Sequence, residues 1–342
     1  MNKIQEQDIK EFANGFKLSN ELENSTFLIT GATGLIGSTL IHCLLALNIG
    51  IEIYAPLRNR GKALSMFECK ELKHIKIMEC DLSTCDYSAL DGIDHIVHCA
   101  APTSSKFFIE KPAETVGIIL DSTKRLLDYA KANRIKSFVF LSSLEVYGSF
   151  DSAEDRITED KQGYIKIEDI RSCYPMAKRM TENLCHIYAM EYDVPVKTAR
   201  LTQTTGAGIS RDDNRVIAQF ARLAAENKDI ILHTTGESAR PYCYITDAID
   251  AILTILLKGQ KGESYNVANE HTYISAKDMA YFVKENCNPN ISVRIELNDN
   301  MGYAAPSKLN LSTDKIKKLG WVPKHGLLEI FRKLTDYIKS DI

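Results

Sequence analysis

A short β-branched strand, a glycine turn and an apolar helix follow one another in residues Ser25–Leu47, STFLITGATGLIGSTLIHCLLAL. The turn, Thr30-Gly31-Ala32-Thr33-Gly34-Leu35-Ile36-Gly37, spaces its glycines three residues apart. A strand-to-helix turn of this kind presents backbone N–H groups and a helix N-terminus, and together these bind a pyrophosphate. Glycine removes the Cβ where backbone must approach a ligand or take a positive φ. The common dinucleotide fingerprint places only one residue between its first two glycines. The wider spacing here gains its meaning from context, a strand before and a helix after. The segment predicts a dinucleotide site on the first strand of a parallel sheet.

Strand-like and helix-like stretches alternate after it. Strands are expected at Ser25–Thr30, Glu52–Leu57, Ile75–Cys80, His95–Cys99, Ser137–Ser142 and Val196–Leu201, with periodic helices at Glu114–Ala132 and Tyr174–Glu191. This alternation argues an α/β fold, a doubly wound parallel (Rossmann) sheet with helices on both faces. From about Leu201 the pattern loosens into a helix at Val216–Glu226, a strand at Ile230–His233 and a helix at Asp247–Leu257. A smaller α/β lobe over the carboxyl ends of the strands is expected there. The expected organisation is an N-terminal extension over 1–24 with a short helix at Ile9–Phe16, a dinucleotide-binding domain over 25–201, and a substrate lobe over 202–342, interleaved with the first. A length of 342 residues suits one domain with an added lobe.

A formal net charge of −3 with no long run of one sign gives nucleic-acid binding no electrostatic support. No apolar stretch approaches the roughly 20 residues of a membrane helix, and the polar N-terminus lacks a signal-peptide core. A cytoplasmic enzyme is expected. The nine cysteines are odd in number and form no C-x-x-C pair, so neither a disulfide framework nor a zinc site is expected. They read as reduced thiols, several of them in the core.

Tyr174-Pro175-Met176-Ala177-Lys178 opens the long helix, and its tyrosine and lysine share one face at i and i+4. A free phenol titrates near 10, and a neighbouring ammonium favours the phenolate. The pair is a base for a sugar hydroxyl while hydride leaves its carbon. Y-x-x-x-K alone is a weak signal. The strand ending in LSSLEVYG adds Ser142 and Ser143 at a strand carboxyl end, where a hydroxyl can bond the same substrate oxygen. With the glycine turn upstream, the chain from about Ser25 onward resembles an extended short-chain dehydrogenase/reductase of the nucleotide-sugar epimerase/dehydratase family.

The resemblance implies roles residue by residue. Gly31, Thr33, Gly34, Leu35, Ile36 and Gly37 hold the dinucleotide; Asp81-Leu82 matches the acid near the adenine; His98-Cys99-Ala100-Ala101 matches the H-x-A-A stretch against the cofactor. Ser143, Tyr174 and Lys178 match the catalytic triad. Arg240-Pro241-Tyr242-Cys243-Tyr244-Ile245-Thr246-Asp247 resembles the family's R-x-F/Y-x-Y-V-x-D segment, whose arginine forks onto the sugar diphosphate. Gln203 stands where relatives carry asparagine, and Arg215 and Lys308 are further candidates for the substrate. The helices at Glu114–Ala132 and Tyr174–Glu191 form a dimer interface in relatives, so a homodimer is expected.

Two details bear on the reaction. Glu145, two residues beyond Ser143, resembles the glutamate of the dehydratase and glucuronate decarboxylase branches, whereas Leu144 fills the position of the dehydratase aspartate. Arg171-Ser172-Cys173-Tyr174 followed by Lys178-Arg179 resembles the decarboxylases' R-x-C-Y-x-x-x-K-R. The second strand ends at Leu57-Arg58, with no carboxylate for a ribose 2′-OH, and Arg58 leans the cofactor from NAD toward NADP. A redox-neutral cycle on a nucleotide-diphosphate sugar, passing through a C4 ketone to decarboxylation, epimerisation or dehydration, stands first. An NADPH-dependent reductase of a keto nucleotide sugar or nucleotide-linked ketose is the alternative, and a non-catalytic dinucleotide sensor a distant one.

Overall fold

The computed structural model describes residues 1–150, 156–298 and 307–340. Strands β1 (Thr26–Thr30), β2 (Glu52–Leu57), β3 (Ile75–Glu79), β4 (His95–His98), β5 (Ser137–Ser143) and β6 (Val196–Leu201) follow in chain order. Outside this run lie β7 (Gln203–Thr205), β8 (Ile230–Leu232), β9 (Ala239–Tyr244), β10 (Ser264–Val267), β11 (Asn269–Ser275) and β12 (Val293–Ile295). The main sheet has seven strands in the order β3-β2-β1-β4-β5-β6-β10, every neighbouring pair parallel. β7, β9 and β11 make a second sheet, and β8 pairs with β12. The strand order reverses at β1, between β2 and β4, which is where open α/β sheets bind ligands.

Helices α1 (Lys3–Gly15), α2 (Leu35–Ala46), α3 (Arg60–Met66), α4 (Cys69–Leu72), α5 (Ser105–Glu110), α6 (Pro112–Ala132) and α7 (Cys173–Glu191) accompany the main sheet. The later part of the chain carries α8 (Val216–Ala225), α9 (Ile245–Lys258), α10 (Ala276–Asn286), α11 (Asp314–Lys317) and α12 (Leu327–Lys339). The strands of β1 and β5 are almost wholly buried, as a sheet covered on both faces requires. α2 and α9 pack on one side with Leu40, Ile41, Leu44, Ile249 and Ile252 in the core. α6 and α7 cover the other side, where Leu126, Leu127 and Cys185 meet Phe138 and Phe140.

The first helix begins six residues before its expected start. Asn2 accepts the Ile4 N–H at 2.9 Å and Gln5 reaches back to the Asn2 N–H at 3.1 Å, a reciprocal cap that extends the helix over a polar stretch. Asp8 on this helix is buried and accepts from Tyr244 Oη at 2.5 Å and Lys333 Nζ at 2.7 Å. The extension is thereby pinned to β9 and α12.

Lys197 on β6 is only 6% exposed and has no carboxylate beside it among the described residues; its ammonium donates to Ser137 Oγ at 2.7 Å, and burial pulls its pKa down to about 8. A folded-state value below the unfolded 10.5 means the unfolded chain binds more protons in between, so stability rises from about pH 8 to 10.5. Lys197→Met removes the buried charge while Ser137 Oγ keeps its bond to Leu256 O at 2.6 Å. The variant is expected to gain on the order of 2 kcal/mol at neutral pH in urea titration. A destabilised variant, or wild-type stability that is flat across that pH window, would contradict this.

Candidate active site

The glycine turn closes directly onto the end of β4. Gly31 has φ +70°, and a Cβ there would sit 2.9 Å from the Ala100 nitrogen; a Cβ on Gly37 would drive into the Gly31 carbonyl. Gly34 caps α2, with Leu35 and Ile36 in its first turn and Thr33 half-buried before it. The Thr30 hydroxyl accepts the Ala100 N–H at 3.2 Å and bonds His98 Nδ1 at 2.6 Å, while His98 Nε2 meets Thr123 Oγ1 at 3.1 Å and Ser122 Oγ at 3.2 Å. Burial pulls His98 down to about 3, so its ring is neutral and serves as a strut between β1, β4 and α6. Cys99, Ala100 and Ala101 are half-buried beside the glycine turn, and burial pushes the Cys99 thiol up to about 12. Motif reading named the H-x-A-A stretch but missed this strut, because Thr30, Ser122 and Thr123 join it only in three dimensions.

Asp81 follows β3 on the exposed rim, with Leu82 half-buried beside it. Its carboxylate accepts from Ser83 Oγ at 2.6 Å and Ser83 N–H at 2.8 Å, which together with the charge of Arg58 holds it below the ordinary range. Arg58 is exposed at the end of β2. The expectation that the cysteines are free thiols is corrected here: Cys80 and Cys85 form a disulfide, their Cα atoms 5.5 Å apart. The Asp81–Ser83 turn folds the chain back and brings together two cysteines whose sequence spacing gives no hint of pairing. Cys43, Cys69, Cys99, Cys173, Cys185, Cys243 and Cys287 are free. A glycine turn and a helix N-terminus at the sheet's reversal point, with a carboxylate on the rim after the edge strand β3, suit a dinucleotide. Gly31, Gly34, Gly37 and Asp81 would hold it, and it would supply a nicotinamide that accepts and returns hydride.

The catalytic candidates meet at the carboxyl end of β5. Ser143 ends that strand; its Oγ accepts the Glu145 N–H at 3.2 Å, and its hydroxyl bonds the Tyr174 phenol. Tyr174, in the first turn of α7, is 8% exposed. Burial pushes its phenol well above the ordinary value and the Glu145 charge adds to the rise, while the Ser143 bond and the Arg171 charge pull it down. Lys178 lies one turn on, 3% exposed, its ammonium 5.9 Å from the Tyr174 ring centre and donating to Leu141 O at 2.7 Å. Burial draws it down to about 8. Glu145 stands in a 3-10 turn over Leu144–Tyr147 and pairs with Arg171 Nη2 at 2.9 Å. Leu144, between Ser143 and Glu145, is buried.

The substrate candidates lie on the second sheet and its surroundings. Gln203 on β7 has a buried Oε1 without a hydrogen-bond partner among the described residues, a polar atom that suits a ligand. Arg240, half-buried on β9, donates to Ser307 Oγ at 3.3 Å and forms no ion pair among the described residues. Lys308 runs beside Ala239 and lines an open cleft of about 450 Å³ with Thr235, Glu237 and Lys277. Arg215 is already engaged, donating to Thr204 O at 2.6 Å and pairing with Asp213 at 2.5 Å. Among the described residues no group of His, Cys, Asp and Glu could hold a metal ion, and no helix is long and apolar enough to cross a membrane.

Residues 27–268 match the model of the NAD dependent epimerase/dehydratase family, and the chain belongs to that family. It is an enzyme of the extended short-chain dehydrogenase/reductase class. It is 27% identical over 308 residues to UDP-glucuronic acid decarboxylase 3 of Arabidopsis thaliana, covering 90% of this chain and 86% of that protein. It is 25% identical over 334 residues to the dTDP-D-glucose 4,6-dehydratase of Bos taurus, covering 92% and 88%. Among solved structures, UDP-glucose 4-epimerase from Thermotoga maritima superposes with a TM-score of 0.79 at 21% identity, over 92% of this chain and 99% of that one. The UDP-glucuronic acid 4-epimerase of Bacillus cereus, solved with NAD, gives 0.75 at 23%, over 92% and 99%.

Proposed function

We propose that the protein converts a nucleoside-diphosphate sugar acid in a redox-neutral cycle. The sugar is oxidised at C4, the resulting β-keto acid loses carbon dioxide, and the ketone is reduced again. Tyr174 takes the C4 hydroxyl proton and later returns it, Ser143 bonds the same oxygen, and Lys178 supplies positive charge beneath the tyrosine. Loss of carbon dioxide leaves an enolate whose C5 takes a proton, and Glu145 is the carboxylate beside Tyr174 that can relay it. The observation that carries this reading is the Glu145–Arg171 pair next to Tyr174, at 2.9 Å, with a buried leucine where 4,6-dehydration needs an acid. Similarity to UDP-glucuronic acid decarboxylases supports it.

The substrate lobe over 202–342 presents Arg240 to the diphosphate, with Gln203 and Lys308 as further donors. Exposed Met176, Met180, Ile187 and Met190 on α7 support a homodimer built on α6 and α7; a monomer in sedimentation at micromolar concentration would remove that part. The cofactor of the cycle is NAD⁺, held without exchange, with Arg58 against the adenine. The missing carboxylate at Leu57 favours a second reading, in which Arg58 meets a 2′-phosphate and the enzyme is an NADPH-dependent reductase. Denaturing the fresh protein and identifying the released dinucleotide separates the two. Stoichiometric NAD⁺ supports the cycle, and NADP(H) or an empty site supports the reductase.

A further inference from the structure

Tyr174 is enclosed by side chains that neither hydride transfer nor substrate binding accounts for. Phe108 on α5 is 2% exposed and stacks on the Tyr174 ring, centres 4.4 Å apart and planes 15° apart. The Arg171 guanidinium carbon lies 4.8 Å from the centre of the same Phe108 ring, and Cys173 Sγ donates to Phe108 O at 3.4 Å. Arg171 Nη2 reaches both Glu145 oxygens, at 3.0 and 2.9 Å. Its own backbone is fixed by the Asp169 carboxylate, which accepts the Arg171 N–H at 2.9 Å in the 3-10 turn entering α7.

We infer that Arg171 is a positioning residue: docked on Phe108, it holds and neutralises the Glu145 carboxylate so that Tyr174 can ionise beside it. The inference rests on the cycle proposed above. A phenolate forming beside a carboxylate in a half-closed site is disfavoured unless a nearby cation offsets the two negative charges. Lys178 does not pair with Glu145, since its ammonium donates to the Leu141 carbonyl. Structural support is a poor explanation for the pair, because its partners are 31% and 34% exposed, and ion pairs that open to solvent add little to stability. The aromatic seat places the charge, because the guanidinium lies over Phe108 while its Nη2 reaches both Glu145 oxygens.

The test follows C4 oxidation of UDP-glucuronate in single turnovers by nicotinamide absorbance across pH, with unfolding midpoints recorded beside the rates. The wild-type protein is measured first; if it does not oxidise UDP-glucuronate, the proposed function falls and this inference falls with it. Given wild-type oxidation, Arg171→Met is expected to slow it about tenfold at neutral pH and to move the acid limb of the profile up by about one unit. Its KM is expected to stay within about twofold, since Arg171 acts on a protein carboxylate and spares substrate binding. Arg171→Lys is expected to recover most of the limb shift, because it restores the charge. In a Glu145→Gln background, Arg171→Met is expected to move the limb by less than half as much, leaving only the direct effect of the guanidinium on the phenol. A limb shift of equal size in that background would overturn the inference by showing that Arg171 acts on the phenol directly. A rise in KM with an unmoved profile would overturn it in favour of substrate binding, and a lowered unfolding midpoint with no profile change in favour of a merely structural pair.

Discussion

Tyr174→Phe is expected to lower kcat by about a thousandfold while the protein keeps its fold and its dinucleotide. Removal of a positioned acid–base group costs that order of rate. The phenylalanine ring preserves the stack on Phe108, so only the hydroxyl that meets Ser143 is lost. The pH profile carries a second signature. Burial holds the ligand-free phenol above its ordinary value, so C4 oxidation in the wild-type enzyme should speed up as pH rises, through an ascending acid limb that the phenylalanine variant lacks. Steady-state rates and the dinucleotide released on denaturation check both parts. A loss of less than about tenfold would show that another group takes the proton.

Glu145→Gln divides the cycle at its middle. Oxidation at C4 requires Ser143, Tyr174 and Lys178, so the variant is expected to begin turnover and accumulate keto sugar. The step after oxidation needs a proton relay beside the ring, and net product formation should fall at least about a hundredfold. Glutamine keeps the size of the side chain and one acceptor for Arg171, which protects the 3-10 turn over Leu144–Tyr147. Mass spectrometry of quenched reactions distinguishes the outcomes. Equal losses in oxidation and in product would place Glu145 in substrate binding. Unchanged product formation would remove it from the mechanism.

The architecture was legible wherever hydrophobic patterning decides structure. The six core strands and the helices at α6 and α7 fall within two residues of their expected bounds, because each buries a continuous or periodic apolar face. α1 was expected too short, since its early turns are polar and held by a cap that an apolar period does not reveal. β10 joins the main sheet next to β6, a long-range pairing that local pattern does not carry. Side-chain partnerships were the least legible. Glu145 and Arg171 stand 26 residues apart, and His98 and Thr30 68 apart, so only the fold brings them together. The Cys80–Cys85 bond, five residues apart, was hidden by a turn whose shape comes from Asp81 and Ser83. Arg171 itself was visible as part of a resemblance, but its seat on Phe108 was not.

A redox-neutral loss of carbon dioxide from a nucleotide uronate leaves a product signature that no other reaction of the site shares. Purified protein is incubated with UDP-glucuronate and no added nicotinamide, and the nucleotide sugars and released carbon dioxide are measured together. Many turnovers with one carbon dioxide and one UDP-pentose formed per UDP-glucuronate consumed are the predicted result. Recovery of intact UDP-glucuronate or of its C4 epimer, with no carbon dioxide, would contradict the claim.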